Sequence, residues 1–271
     1  MQSERVNRAS AREVRIAVWN KNHTLSDRKV EDVVVGALQT QVIRDLYPAW
    51  GVRATLEFTR LESRPRSGRW RLILLDDRHN AAESGFHELT NEGLPQALVF
   101  VGQQQKSEKQ TDGWTLSASH ELLEMLINPD LNQAAAMRLP DARKMLKAIA
   151  SKRPFPDSNE VFCSLEVCDP CAAAENGYRI NGTLLSDFVY PAWFQSFHSR
   201  AKRTLRRVSF DHQHHIDWPF QALRGGYAIV YSRGSWKLHA PAPEADASGA
   251  RAYARWEMRK TPRDRWKPSK E

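Results

Sequence analysis

The sequence predicts an α+β fold: a twisted mixed sheet backed by a long helix and by a second helix bearing a His-Glu pair, with an irregular C-terminal part. Three observations predict it. Short runs of alternating or continuous apolar residues recur before residue 102, as strands require. Between Val30 and Leu46 the apolar positions repeat at helical spacing instead. The run Ser119 to Leu126 is apolar except for Ser119, His120, Glu121 and Glu124, and it stops at Asn128-Pro129.

The elements follow in order. Val14-Arg15-Ile16-Ala17-Val18-Trp19 alternates and reads as a strand. Ser26-Asp27 offers an N-cap to a helix whose apolar face is Val30, Val33, Val34, Ala37, Leu38, Val42, Ile43 and Leu46, with Pro48 expected to end it. Val52 to Phe58 and Trp70 to Leu75 are expected strands, separated by a polar turn at Pro65 to Gly68. A loop is expected from Asp76 to Pro95, then a short strand over Ala97 to Val101 and a polar, mobile segment over Gln103 to Gly113. The helix with His120 comes next. Further on, Asp141 to Lys152 is an expected helix, and Tyr178 to Leu185 a hairpin turning at Asn181-Gly182. Gly225-Gly226 precedes an expected strand, Tyr227 to Tyr231.

Composition narrows the function classes. A chain of 271 residues, 41% hydrophobic with nine Trp, folds rather than staying disordered. No apolar run approaches the roughly 20 residues that cross a bilayer, so no membrane partner is expected. The charged start, MQSERVNRASAREVR, lacks the apolar stretch of a secretion signal. Three cysteines at 163, 168 and 171 do not look like a disulfide framework, which fits a reducing, cytoplasmic compartment or export without a cleaved signal. Of the net charge of +8, residues 198–271 supply +9 (16 Lys/Arg against 7 Asp/Glu), leaving −1 for the first 197. The expected organisation is a tail over 1–13, a metal-binding domain over 14–197, a basic subdomain over 198–240 and an extended basic tail over 241–271. Trp256 and Trp266 in that tail read as anchors for a protein partner. The basic stretches 200–207 and 251–267 are where nucleic acid would bind.

The chemistry lies in His120-Glu121-Leu122-Leu123-Glu124. Positions i and i+4 share a helix face, so His120 and Glu124 can address one cation. Imidazole nitrogen and carboxylate oxygen both ligate Zn²⁺, and Glu121 is left to act as general base. Two ligands cannot hold a catalytic ion, so a third is expected downstream. Glu166-Val167-Cys168-Asp169-Pro170-Cys171 offers Glu166 and Asp169, with Asp187 or a cysteine as the other candidates. A site of one His and two carboxylates is more anionic than a two-His site, so another divalent metal could replace zinc. A rival arrangement uses Cys163, Cys168 and Cys171 with a His, although a second C-x₂-C or H-x₃₋₅-H is missing. The cluster His212, His214, His215 reads as an exposed loop. Trp19, Trp50, Trp70, Trp114, Trp193, Trp218 and Trp236 read as core or interface, and Tyr178 or Tyr190 as an oxyanion donor.

Four segments together resemble a group of zincin-like metallopeptidases from bacteria and their phages: the Ser119 to Leu126 helix with Asn128-Pro129, Glu166 to Pro170, Ser186-Asp187-Phe188-Val189, and Pro191-Ala192-Trp193-Phe194. The resemblance spans residues 14–197, and the strand and helix order agrees with it. It implies a zincin-like fold and a divalent metal held by His120, Glu124 and a downstream acid, with Glu121 as base acting on a peptide or protein substrate. Asn128 departs from the group, which tends to have Asp there. The competing expectation is a non-catalytic assembly or phage-particle protein on the same scaffold, virion-associated and docked through its Trp-bearing tail.

Overall fold

A five-stranded sheet organises the first half, in the order β2-β1-β3-β5-β4. Its strands are β1 (Val14–Lys21), β2 (Ala54–Thr59), β3 (Trp70–Leu75), β4 (Gly85–Leu89) and β5 (Pro95–Phe100). β1 pairs in parallel with β2 and β3, and β3 in parallel with β5, while β4 runs antiparallel along β5 at the edge. Consecutive burial of Ile16, Ala17 and Val18, and of Leu72, Ile73 and Leu74, explains their continuous apolar runs: central parallel strands are covered on both faces. The computed structural model describes residues 14–76, 84–102, 113–138, 161–195, 208–232 and 234–240. The expected segment 103–112, the helix Asp141 to Lys152, the termini 1–13 and 241–271 with Trp256 and Trp266, and the basic stretch 200–207 lie outside them.

Two expectations are corrected. The loop expected from Asp76 to Pro95 contains β4. Its sequence, Gly-Phe-His-Glu-Leu, is too polar to read as a core strand, but an edge strand needs only one partner. Thr90 to Leu94 closes the β4–β5 hairpin through Thr90 N–H to Leu94 O at 2.8 Å, with Gly93 at φ +75°. The long helix α1 is a continuous helical run over residues 27–50 and does not stop at Pro48. The Ser26 hydroxyl caps its start by accepting from Lys29 N–H, as expected. A π-wound stretch, Gln41–Leu46, precedes the proline and widens the turn in which the pyrrolidine ring would strike a carbonyl. Pro48 then sits in the first turn of the closing segment Tyr47–Trp50, and Gly51, at φ 71°, ends the helix.

Helix α2 (Gly113–Ile127) packs beside β5 and β4 and is buried on all sides apart from Gly113 and Leu116. The second half adds a four-stranded antiparallel sheet, β11-β10-β7-β6. It comprises β6 (Ala134–Ala136), β7 (Phe162–Ser164), β10 (Ala228–Ser232) and β11 (Ser235–His239). The hairpin β8 (Tyr178–Ile180) and β9 (Thr183–Leu185) turns at Asn181 and Gly182, with φ of 50° and 83°. Both left-handed angles explain the Asn-Gly pair. One core cluster reaches from Ile16 to Val230 and includes Phe210, Ile216 and Phe220, so residues 208–232 pack into the same core as the first half. Trp114 and Trp193 are fully buried within it. No helix among the described residues is long and apolar enough to cross a membrane.

Candidate metal centre

Helix α2 carries His120, Glu121 and Glu124 at 1% exposure or less. Burying such groups is costly unless they are paired, hydrogen-bonded or ligate a metal, so the surroundings must compensate for them. The helix is fixed in place by polar contacts of its own. Ser119 Oγ donates to Gln41 Oε1 at 2.7 Å and accepts from Ser186 N–H at 3.0 Å, while Gln41 Nε2 donates to Ser186 O at 2.9 Å. Thr115 Oγ1 donates to Leu184 O. These bonds tie α2 to α1 and to β9, which leaves the helix little freedom to rotate about its axis.

His120 and Glu124 share a helix face, with His120 Nε2 3.2 Å from Glu124 Oε1. The same nitrogen also lies 3.2 Å from Asp169 Oδ1. One donor atom from each of His120, Glu124 and Asp169 falls within 4.8 Å of the others, and all three residues are buried. Asp169 opens a single helical turn, Asp169–Cys171, that is clamped from outside. Tyr227 N–H donates to Asp169 O at 2.8 Å, and Leu223 N–H to Pro170 O at 2.9 Å. Gly226 presses against that turn so closely that a Cβ there would collide with the Pro170 carbonyl. Cys168 N–H donates to Glu124 Oε1 at 3.3 Å and orients the shared carboxylate.

A second set of donors adjoins the first through Glu124. His87, at the middle of β4, has its Nδ1 3.4 Å from Glu121 Oε2 and 3.9 Å from Glu124 Oε2. His87, Glu121 and Glu124 form a second buried group of the same tightness. Glu124 thus directs one oxygen toward His120 and the other toward His87. Glu166 joins this side, with Oε2 3.8 Å from His87 Nε2. Its Oε1 accepts from Ser164 Oγ at 3.2 Å and from Asn128 Nδ2 at 3.3 Å. Of the downstream acids left open by the sequence, Asp169 stands with His120 and Glu124, Glu166 stands with His87, and Asp187 lies in neither group. The amide at Asn128 is therefore a donor to Glu166, a role no ionised Asp could fill.

These residues fit a divalent cation. Two imidazoles and four carboxylates, all buried, meet in one volume, and like charges so confined oppose one another unless a cation or protons intervene. The donors are nitrogen and oxygen with no thiolate, a set suited to zinc and to several other divalent ions. The rival thiolate arrangement is not seen among the described residues, where no donor group holds more than one of the three cysteines. Burial, and then the Glu124 charge, push the Cys168 thiol well above its usual range.

The remaining sequence candidates are engaged elsewhere. Tyr178 OH donates to Asp45 Oδ2 at 2.8 Å and accepts from Gln41 Nε2 at 3.1 Å, and burial raises its pKa strongly. Tyr190 OH lies 3.2 Å from His212 Nδ1. His212 is no exposed loop residue, since its ring stacks on Phe188 at 5.3 Å and 8°, and burial lowers its pKa. His214 and His215 are exposed. His87 is the residue the sequence reading missed. Its signal was the turn Thr90-Asn91-Glu92-Gly93 ahead of an apolar strand, which marks a hairpin and hence a strand upstream. Compared with protein-family models, with curated proteins and with solved structures, the chain gives no match.

Proposed function

We propose that the chain is a metal-dependent peptidase of zincin-like architecture. His120, Glu124 and Asp169 hold the ion, zinc or another divalent metal, and Glu121 serves as general base. The observation that carries the reading is the convergence of His120, Glu124 and Asp169 within 4.8 Å, with Glu121 next to His120 on the same helix. The antiparallel edge strand β4 beside α2 adds support, because such an edge can receive an extended peptide as a further strand.

An ion bound there supplies Lewis acidity toward a peptide carbonyl and toward water. The Glu121 carboxylate takes the proton of the attacking water and returns it to the departing amine. His87, 3.4 Å from Glu121 Oε2, holds that carboxylate in position. Because Glu121 also belongs to the second donor set, the test separates base from ligand. Glu121→Gln is expected to lower hydrolysis of a mixed peptide library by about a hundredfold or more while the chain keeps its ion. Loss of the ion in Glu121→Gln would make Glu121 a ligand, and full activity would remove it from the mechanism.

One observation favours a second reading. The side chains of His120, Glu124 and Asp169 are 2%, 0% and 1% exposed, and structural metal sites are closed whereas catalytic ones keep an open position. On that reading the centre stabilises a non-catalytic assembly protein. Metal binding without hydrolysis of any peptide in the library, in the wild-type chain, would select it.

A further inference from the structure

A second cluster lies outside the centre built on α2. Cys171 ends the turn that begins at Asp169, Asp187 follows β9, and Asp211 pairs as a bridge residue with Val189. Their exposures are 1%, 0% and 0%. One donor atom from each lies within 4.8 Å of the others. Asp211 is held rigidly, with Oδ2 accepting from His215 N–H at 2.8 Å and Oδ1 from Ile216 N–H at 2.9 Å. Asp187 Oδ1 accepts from Phe188 N–H at 2.8 Å and Gln213 N–H at 3.2 Å. Its other oxygen, Oδ2, is buried with no hydrogen-bond partner. Burial and the facing Asp211 raise the Asp187 carboxyl well above its usual range, a measure of how poorly the protein alone accommodates these charges.

We infer that Cys171, Asp187 and Asp211 form a second metal site, structural in role, for a borderline divalent cation such as Zn²⁺. The pre-oriented acids, the unpartnered Asp187 oxygen and the adjacent thiol carry the inference. A thiolate ligand disfavours Mg²⁺ and Ca²⁺, which take oxygen donors, and favours zinc and cobalt. On binding, the thiol and any shared carboxyl proton are released to solvent, leaving one thiolate and two carboxylates around a 2+ charge. The ion joins three segments far apart in sequence: the Asp169–Cys171 turn, the loop after β9 and the Asp211 bridge. Because Cys171 lies two residues from Asp169, the clamp also holds in place the turn that presents Asp169 to His120. The competing occupant is a proton shared between Asp187 and Asp211.

Cobalt titration of the full chain tests this, because the His120 centre contains no thiolate and only a cysteine-ligated Co²⁺ gives intense sulfur-to-metal charge-transfer absorption in the near ultraviolet. The wild-type chain is expected to show that band and to bind one ion more than the Cys171→Ser variant, which loses it. His120→Ala should keep the band, which separates this site from the proposed peptidase centre. Should Cys171→Ser fail to fold, the Cys163→Ser/Cys168→Ser double variant is expected to retain the band with Cys171 as its only thiol. Absence of the band in the wild-type chain overturns the inference, as does a band lost in Cys168→Ser but kept in Cys171→Ser. Absence of the band leaves the His120 centre untouched, whereas dependence on Cys168 moves the thiolate to the Glu124 side.

Discussion

Replacing Asn128 by Asp changes one atom in the wall of the centre and reverses a hydrogen bond. Asn128 Nδ2 donates to Glu166 Oε1 at 3.3 Å, and Asn128 Oδ1 accepts from Gln133 N–H at 3.0 Å. An Asp keeps the second bond and turns the first into two carboxylate oxygens facing each other, both residues being at most 2% exposed. Two unit charges at that separation repel by about 5 kcal/mol at an effective dielectric constant of ~20. The pair can escape by taking up a proton, so the loss is capped by the free energy of protonating a carboxyl of pKa about 4: about 4 kcal/mol near pH 7 and about 1.4 kcal/mol near pH 5. The sign follows from linkage. The folded pair binds a proton that the unfolded chain does not, so the variant loses stability as pH rises. Urea unfolding of Asn128→Asp and wild type, followed by tryptophan fluorescence at both pH values, is expected to show a deficit at least twice as large near pH 7 as near pH 5. A deficit that does not change with pH, or none at all, would refute the assignment of Asn128 as a donor to Glu166.

Two further predictions concern the second half of the molecule. Gly226→Ala drives a Cβ into the Pro170 carbonyl, which is backbone and cannot swing aside. A loss of about 3 kcal/mol by urea unfolding is expected, together with weaker metal binding, because Asp169 sits on the same turn. Burial pushes His239 down to about 4, with no hydrogen-bond partner for its Nε2. The unfolded chain therefore takes up a proton before the folded chain does. Stability is retained above the unfolded value of about 6.5 and lost as pH falls toward 4. Wild type is expected to lose about 1–3 kcal/mol more over that interval than His239→Gln, when urea midpoints are compared.

Much of the sheet and both helices were legible because their signals are local. Alternating apolar positions marked β1 and β3, a short apolar run marked β5, the Ser26 cap and 3.6-residue spacing marked α1, and Asn128-Pro129 marked the end of α2. The i, i+4 pairing of His120 with Glu124 was equally local, since helix geometry alone places the two on one face. What escaped depended on contacts distant in sequence. His87 and Glu121 are 34 residues apart, and only the placement of β4, antiparallel along β5, beside α2 brings them together. The choice between Glu166 and Asp169 turned on a clamp from residues 223–227, which the motif itself does not contain. Pro48 misled because a π-wound stretch has no sequence signature strong enough to announce itself.

An anomalous-difference map from crystals of the chain grown with zinc bears most directly on the centre. A peak is expected, bonded at about 2.0–2.2 Å to the His120 imidazole and to carboxylate oxygens of Glu124 and Asp169. A map with those three side chains in place and no peak among them would contradict the proposed centre.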